Sequence, residues 1–293
     1  MRIAFIGFGE AARAFADTLR GQGCTFRAYD ILTERGADAT LREAAVRAGV
    51  AVASSPAEAI EAADWVISAV TAADSLDAAR SAAPALRRGQ VFVDINSVSA
   101  GRKKQTAAIV EPSGAAYLDM AVMAPVHPRG HRTPVLVAGP ECAAIEPKLK
   151  ALGFDYTVLG EETGAATSVK MLRSLFVKGL EAVTVQTLLA ARAAGRFDEV
   201  YASLSNSYPQ LGWPDFALYQ LDRVATHGVR RAAEMRESAA TMAELGLETG
   251  RGLAEAIAEL QQTIGEIGWR DARPREPAEA FADMARRLTH RSL

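Results

Sequence analysis

The sequence predicts an α/β protein in which an N-terminal domain with a mainly parallel sheet precedes a long connecting helix and an all-helical C-terminal domain. Short apolar runs alternate with helix-favouring segments through the first half, which is typical of parallel sheets. A proline-free apolar segment then extends from Gly164 to about Arg192, and no strand pattern follows it. We therefore expect two domains, 1–160 and 161–293.

The predicted sheet is built from short apolar runs rich in Val, Ile and aromatic residues. The six runs are Ile3–Ile6, Phe26–Tyr29, Trp65–Val70, Val91–Ile95, Tyr117–Val122 and Val135–Ala138. Alanine-rich segments with loosely amphipathic spacing separate the first strands and are predicted crossover helices. These segments are Ala11–Leu19, Leu41–Ala48, Pro56–Glu61 and Asp74–Ala82.

The second half is predicted to be helical throughout. The connecting helix would be roughly 40 Å long at about 1.5 Å per residue. It is not expected to span a membrane, because four charged residues interrupt it and burying them in lipid would be very costly. Further helices are predicted over Asp198–Ser205, Pro214–Val224, Gly228–Glu244 and Gly250–Ile264, with breaks at Pro209, Gly212 and Gly246. The tail begins at Asp271 and contains Pro274, and one more helix is predicted there, Ala278–Leu288.

Composition restricts the class of protein. The 293 residues carry a formal net charge of −2, with 49% hydrophobic and 23% charged residues. This balance predicts a globular chain with no affinity for nucleic acid or membranes. Cys24 and Cys142 lie far apart without neighbouring His or Cys, so no metal site or disulfide framework is expected. The apolar run after Met1 is too short for a signal peptide, and we expect a cytoplasmic protein.

A glycine motif lies where the first predicted strand ends. The segment Ile3–Ala12 places the pattern GxGxxA directly after that strand and directly before a helix. Gly7 permits a tight turn, and Gly9 lets the backbone approach a pyrophosphate at the positive end of the helix. Ala12 takes the place of the third glycine. The motif predicts a Rossmann dinucleotide site, whose candidate cofactor-binding residues are Gly7, Phe8, Gly9, Glu10, Ala11 and Ala12.

An aspartate ends the second predicted strand. Asp30 stands about twenty residues after the glycine motif, where a carboxylate can accept hydrogen bonds from ribose hydroxyls and would repel a 2′-phosphate. NAD is therefore expected in preference to NADP, although Arg27 and Arg35 leave NADP open. The alternative is a glycine turn with a helix-capping aspartate. We add Val70 and Thr71, at the end of the third predicted strand, to the candidate cofactor-binding residues.

Polar residues form one stripe along the connecting helix: Lys170, Arg173, Ser174, Lys178 and Glu181. One interpretation is a solvated face with an ion pair between Lys178 and Glu181. Because the helix is otherwise apolar on several sides, we favour a helix that runs between layers and lines a cleft. The chain has only six lysines, and after residue 150 only Lys170 and Lys178 remain. Since burial lowers the pKa of an amine, Lys170 is a candidate general acid/base.

Four segments together resemble the β-hydroxyacid dehydrogenase superfamily, which contains 3-hydroxyisobutyrate and 6-phosphogluconate dehydrogenases. They are the glycine motif, Asp94–Ser97, Asp119–Val122 and Gly164–Lys170. The resemblance implies that Asn96 and Ser97 contact the nicotinamide and the substrate, and that Lys170 is the proton donor and acceptor. It also implies a homodimer formed through the helical domain.

The chain departs from that family in the expected substrate pocket. Met123-Ala124-Pro125 stands where the family commonly has Ser-Gly-Gly, and Ser174 replaces an asparagine. Arg173 is the expected substitute anchor for a carboxylate or phosphate, with a structural ion pair as the alternative. The candidate substrate-binding residues are therefore Ser97, Met123, Arg173 and Ser174.

Polar residues also cluster at two further places in the sequence. The loop Val126–Arg132 holds two histidines and two arginines, and either contacts an anionic substrate or is simply solvated. In the helical domain, His227, Arg230, Arg231 and Glu234 lie where related enzymes place a Lys-Asp pair. Ala233 stands in place of that lysine, so the match is weak.

We expect hydride transfer between NAD(P) and the alcohol or carbonyl of a small, anionic, hydroxyacid-like substrate, with Lys170 as the general acid/base. A non-catalytic NAD(P)-binding sensor or scaffold is an alternative that the missing Ser-Gly-Gly favours. Another is an imine-type reductase, against which Lys170 argues, because imine reductases typically carry aspartate or tyrosine at that position.

Overall fold

The computed structural model describes residues 1–33, 38–268 and 276–291. Arg35, and the part of the predicted tail from Asp271 through Pro274, lie outside these residues. The chain divides into two compact units, Met1–Met171 and Leu172–Leu293, which we call unit 1 and unit 2.

Unit 1 contains a sheet of eight strands in the described part of the chain. The strands are β1 (Arg2–Ile6), β2 (Thr25–Tyr29), β3 (Val50–Val52), β4 (Trp65–Ser68), β5 (Val91–Asp94), β6 (Ala116–Val122), β7 (Val135–Ala138) and β8 (Tyr156–Val158). Their order is β3-β2-β1-β4-β5-β6-β7-β8. All neighbours are parallel except β6 and β7, which are antiparallel. The predicted mainly parallel sheet is confirmed.

Helices cover both faces of the sheet. They are α1 (Glu10–Leu19), α2 (Asp38–Ala48), α3 (Pro56–Ile60), α4 (Ser75–Ala82), α5 (Ala100–Val110) and α6 (Cys142–Leu152). Successive strand residues point to opposite faces: Phe5 packs in a cluster with Phe15 of α1, whereas Ala4 packs with Ile60 of α3. Both faces are therefore buried, which explains the continuous apolar strands.

The strand order reverses at β1, because β2 lies on one side of it and β4 on the other. At such a point the connections leave the sheet in opposite directions, and a crevice opens beyond the carboxyl ends of the strands. The loops after β1, β2, β4 and β5 lie at this edge. They carry Gly7, Asp30, Val70 and Asn96.

Unit 2 is helical in its described residues, as predicted. Helix α7 (Ala165–Ala193) crosses the division between the units and is followed by α8 (Phe197–Ser207), α9 (Asp215–Glu244), α10 (Glu248–Ile267) and α11 (Pro277–Arg291). Its core contains Val185, Leu188, Leu221 and Phe281. Among the described residues, α7 is the one helix long and apolar enough to cross a membrane. Half of its most apolar 18-residue window is buried in the protein, as in a core helix.

Several elements differ from those predicted. Strands β3 and β8 were missed because three residues give too short a pattern, and α5 and α6 were also missed. The segments 214–224 and 228–244 join into the single helix α9. Gly228 lies inside α9, at the point where α9 meets α10. Only glycine fits there, because a Cβ would be 2.1 Å from the carbonyl oxygen of Gln261.

Candidate active site

The turn after β1 requires glycine at its first position. Gly7 has φ +86°, and a Cβ there would lie 2.5 Å from the carbonyl oxygen of Ala69. Its amide donates to the carbonyl of Tyr29 at 2.8 Å, so the turn is fixed between the ends of β2 and β4. A side chain at Gly7 would be both strained and in collision with the backbone.

Gly9 precedes the first residue of α1 and leaves the helix end open. A Cβ on Gly9 would meet no atom within 4 Å, and no side chain caps the helix there. The first amides of an α-helix have no partner within the helix, and they favour an anion. Phe8 and Ala12 are buried beneath the turn, whereas Glu10 is exposed and Ala11 is half-buried. The residues present therefore fit a dinucleotide pyrophosphate.

Asp30 joins the end of β2 to the glycine turn. Its Oδ2 accepts a hydrogen bond from the amide of Phe8 at 2.8 Å, and its Oδ1 accepts one from the amide of Leu32 at 2.9 Å. The carboxylate therefore caps the short turn at 31–33 as well as holding the glycine turn. Each carboxylate oxygen keeps a further lone pair that can accept a ligand hydroxyl.

Asn96 ties the ends of β4 and β5 together. Its Oδ1 accepts from the amide of Val70 at 2.7 Å, and its Nδ2 donates to Ser68 Oγ at 2.9 Å. The side chain is 3% exposed. Thr71 is exposed and donates to Asp74 Oδ2 at 2.5 Å. Asn96 thus fixes the loop that follows β4.

Lys170 and Ser97 meet in unit 1 although 73 residues separate them along the chain. Lys170 Nζ donates to Ser97 Oγ at 2.6 Å, and both residues are half-buried. Helix α7 is fixed one turn earlier, where Thr167 Oγ1 donates to the carbonyl of Val98 at 2.5 Å. A Cβ on Gly164 would lie only 3.0 Å from Ala100 Cβ. The first turn of α7 is therefore held against the loop that carries Ser97.

A buried ion cluster underlies this pair, and sequence reasoning missed it. Lys103 Nζ lies 3.0 Å from Asp94 Oδ1 and 3.3 Å from Asp119 Oδ1, with all three side chains inaccessible to solvent. Burial raises the pKa of Asp119, although Lys103 opposes the shift. Burial also raises the pKa of Tyr117, whose hydroxyl donates to Asp94 Oδ2 at 2.8 Å. No sequence signal separates Lys103 from its exposed neighbour Lys104.

The other predicted substrate-binding residues have different surroundings. Met123 donates its amide to the carbonyl of Pro134 at 2.9 Å, and its side chain packs on a small cluster containing Ala121 and Ala138. Arg173 is exposed on α7. Ser174 is buried and accepts from Lys178 Nζ at 3.1 Å.

The ion pair considered between Lys178 and Glu181 is wrong. Lys178 Nζ lies 2.9 Å from Glu234 Oε2, and burial lowers the pKa of Lys178 despite that carboxylate. Glu181 instead pairs with Arg231, whose Nε donates to Glu181 Oε2 at 3.0 Å. Because both α7 residues are buried, partners on α9 replace the neighbour along the helix. Arg231 and Glu234 therefore make structural ion pairs.

The loop at 126–132 is divided between surface and interior. His131 is fully buried, with Nδ1 at 2.7 Å from Thr18 Oγ1 and Nε2 at 3.0 Å from the carbonyl oxygen of Leu152. The two interpretations of the loop were substrate contact and simple solvation, and neither applies to the buried His131. His127, Arg129 and Arg132 are exposed. Within the described residues, no group of His, Cys, Asp or Glu is placed to hold a metal ion.

The chain matches two family models. Residues 2–160 match the NAD binding domain of 6-phosphogluconate dehydrogenase, and residues 191–264 match a domain of unknown function, DUF1932. The first match spans more than half of the chain. The protein belongs to the β-hydroxyacid dehydrogenase superfamily and carries a distinct C-terminal domain, which confirms the resemblance. It is an NAD(P)-binding oxidoreductase of the hydroxyacid dehydrogenase type.

Two known proteins are similar to this chain. A conserved hypothetical protein from Sinorhizobium meliloti has a TM-score of 0.75 and 34% identity, over 99% of this chain and 96% of that one. Mitochondrial 3-hydroxyisobutyrate dehydrogenase of Mus musculus is 26% identical over 182 residues, which is 60% of this chain and 52% of the mouse protein.

More distant structures share the fold alone. The 3-hydroxyisobutyrate dehydrogenase of Mycobacterium tuberculosis, solved with L-serine, has a TM-score of 0.72 and 18% identity, covering 98% of both chains. An imine reductase from Aspergillus terreus has a TM-score of 0.57 and 19% identity, over 88% of this chain and 93% of the other.

Proposed function

We propose that the protein transfers hydride between a nicotinamide cofactor and the alcohol or carbonyl group of a small, anionic, hydroxyacid-like substrate, with Lys170 as the general acid/base. One observation carries the proposal: Lys170 Nζ lies 2.6 Å from Ser97 Oγ in the same unit as the glycine turn. An amine beside a hydroxyl at the carboxyl edge of a dinucleotide-binding sheet is suited to moving a proton.

The cofactor would be held by the loops at the carboxyl ends of the strands. The open end of α1 at Gly9 would bind the pyrophosphate, and Asp30 would accept from the ribose hydroxyls. Val70 and Thr71 would lie beside it, with Asn96 fixing their loop. Asp30 favours NAD, since a second negative charge on the ribose would be repelled; NADP stays the alternative. A bound nicotinamide supplies the acceptor or donor of the hydride.

The chain's own residues would manage the proton. In oxidation, neutral Lys170 Nζ takes the proton from the substrate hydroxyl as the carbon–hydrogen bond is broken. In reduction, the ammonium returns that proton to the carbonyl oxygen. Ser97 Oγ, which already contacts Lys170, orients the substrate oxygen. Because Lys170 Nζ is already aligned, no reorganisation is needed when the proton moves, and the alignment contributes to lowering the reaction barrier.

The substrate class follows from Arg173 and from the related enzymes. Arg173 lies three residues after Lys170 on α7 and is exposed, so its guanidinium can bind a carboxylate or phosphate in a bidentate manner. The mouse relative is a 3-hydroxyisobutyrate dehydrogenase. We therefore favour a small hydroxy acid, and Met123 and Ser174 stay candidate substrate-binding residues.

A homodimer is the proposed assembly. Helix α7 exposes Val169, Leu172, Phe176 and Val183 along one side, with Phe176 73% and Val183 64% exposed. Large apolar side chains in such a row are typical of a protein interface. A second copy of the chain is the proposed occupant. A mass of one chain in light scattering at micromolar concentration would contradict it.

Cytoplasmic placement is part of the proposal. Cys24 and Cys142 are both free and buried, and burial raises the pKa of each thiol. Free thiols are the usual state in a reducing compartment. Localisation of a tagged protein tests this assignment, and an oxidising compartment would contradict it.

Turnover across a substrate panel tests the function. NADH and NADPH are each mixed with aldehydes, β-keto acids and cyclic imines, and the loss of absorbance of the reduced cofactor is followed. We expect reduction of a carbonyl acid, faster with NADH. Cofactor binding without turnover throughout the panel would favour the sensor, and turnover of imines alone would favour the imine reductase.

A further inference from the structure

Lys103 is a buried charge that the proposed reaction does not use. Its side chain is 0% exposed, although lysine almost never lies fully inside a protein unless it is paired. It stands on α5, which begins directly after the loop that carries Ser97.

The ammonium joins two neighbouring strands. It donates to the carbonyl of Asp94 at 2.5 Å and lies 3.0 Å from Asp94 Oδ1 and 3.3 Å from Asp119 Oδ1. The ammonium therefore lies between one backbone carbonyl and two carboxylates. Asp94 and Asp119 stand opposite each other in the register of β5 and β6. Lys103 therefore links the two strands at one level of the sheet.

The same carboxylates hold both halves of the proton-transfer pair. Asp94 Oδ1 accepts from the amide of Asn96 at 2.9 Å, which fixes the backbone directly before Ser97. Asp119 Oδ2 accepts from the amide of Thr167 at 3.2 Å, in the first turn of the helix that carries Lys170. A continuous set of contacts thus runs from one segment through Lys103 to the other.

We propose that Lys103 is a positioning residue: it holds Asp94 and Asp119 so that the segment at 94–97 and the first turn of α7 keep Ser97 Oγ and Lys170 Nζ in contact. This inference rests on the proposed function, because it explains how that pair is aligned. Asp119 Oδ1 has no hydrogen-bond partner among the described residues, so the ammonium is what offsets its burial. Removing the ammonium would leave two buried carboxylates on neighbouring strands without their shared counter-ion, and their repulsion would displace the segments that they hold.

The test compares Lys103→Met with Lys104→Met, its neighbour on α5. Lys104 is exposed and pairs with Glu162 at 3.0 Å, so its loss removes a lysine without touching the cluster. Amide hydrogen exchange is measured on peptides covering 94–100 and 164–170, together with NADH affinity, kcat and KM. We expect Lys103→Met to speed exchange in both peptides and to lower kcat about 100-fold through misalignment. NADH binding should weaken less than kcat falls, because of the cofactor-binding residues only Asn96 lies in the loosened segment.

Unchanged exchange in the two peptides, or a general increase across unit 1 with normal kcat, would overturn the inference. If Lys103→Met does not fold, the double variant Lys103→Met with Asp119→Asn removes one charge of each sign and is expected to show the same local effects. Failure of the proposed function is distinguishable: normal turnover by Lys170→Met would refute the general acid/base, while hydrogen exchange needs no substrate and still tests Lys103.

Discussion

Each unit contains a buried ion cluster, and the two are built differently. In unit 1, the carboxylates around Lys103 also accept hydrogen bonds from the backbone amides of Asn96 and Thr167. In unit 2, Glu181 contacts Arg231 and Gln261, which are side chains on α9 and α10. The first cluster fixes backbone, and the second joins helices.

This difference separates two uses of buried charge. An ion pair inside a protein gains little net stability, because desolvation offsets the attraction, but losing one partner leaves an uncompensated charge. Both clusters should therefore be costly to break. In unit 1 the carboxylates hold the loops at the carboxyl edge of the sheet, so we expect that breaking this cluster alters the chemistry. In unit 2 the carboxylate of Glu181 contacts side chains, so we expect a loss of stability alone.

Breaking the unit 2 cluster tests that separation with the largest expected change. Arg231→Met leaves Glu181 buried without its cation, and we expect the free energy of unfolding to fall by about 3–5 kcal/mol. NADH affinity should be unchanged. Urea denaturation and fluorescence titration give the two quantities.

Arg230→Met is the matched control. Arg230 is 59% exposed in its side chain and pairs with Glu234 at 3.1 Å. We expect this variant to lose less than about 1 kcal/mol. If Arg231→Met weakened NADH binding while Arg230→Met did not, the distinction between the clusters would fail.

A smaller effect is expected at His131, a buried polar group of unit 1 whose ring contacts Thr18 of α1 and Leu152 of α6. Burial lowers the pKa of His131 from 6.5. As the pH falls below about 6.5, the unfolded chain therefore binds the proton first, and the free energy of unfolding decreases. Above that pH the residue contributes its full stability.

His131→Gln should reduce this pH dependence by at most about 1.4 kcal/mol per pH unit and leave NADH affinity unchanged. Denaturation between about pH 5 and pH 7.5 measures it. His127→Gln, at an exposed position of the same loop, is the control. Equal slopes for His131→Gln and the unaltered protein would contradict the expectation, and altered NADH affinity would link this group to the site.

The glycine turn could be predicted because the residues that it requires lie close together in the sequence. Gly7 needs a left-handed backbone and Gly9 an open approach, and both requirements are visible as a motif between a strand and a helix. The fold class was predictable for the same reason, since strand and helix periodicities are local.

Partners that depend on packing could not be predicted. Lys178 forms its ion pair with Glu234 and not with Glu181, because α9 lies against α7 within unit 2. Lys103 looks like Lys104 in the sequence, and only the register of β5 and β6 makes it a buried counter-ion. Strands β3 and β8 have three residues each, too few for a reliable period. Ser97 and Lys170 were singled out by local patterns and the family resemblance, and their contact required the fold.

Replacement of Lys170 tests the central claim most directly. Lys170→Met and the control Lys104→Met are compared for NADH affinity and for kcat on the substrate found by the panel. The account predicts that Lys170→Met binds NADH normally and loses about 10²–10⁴-fold in kcat, the usual contribution of a general acid/base, while Lys104→Met keeps both. Turnover by Lys170→Met at the rate of the unaltered protein would contradict it.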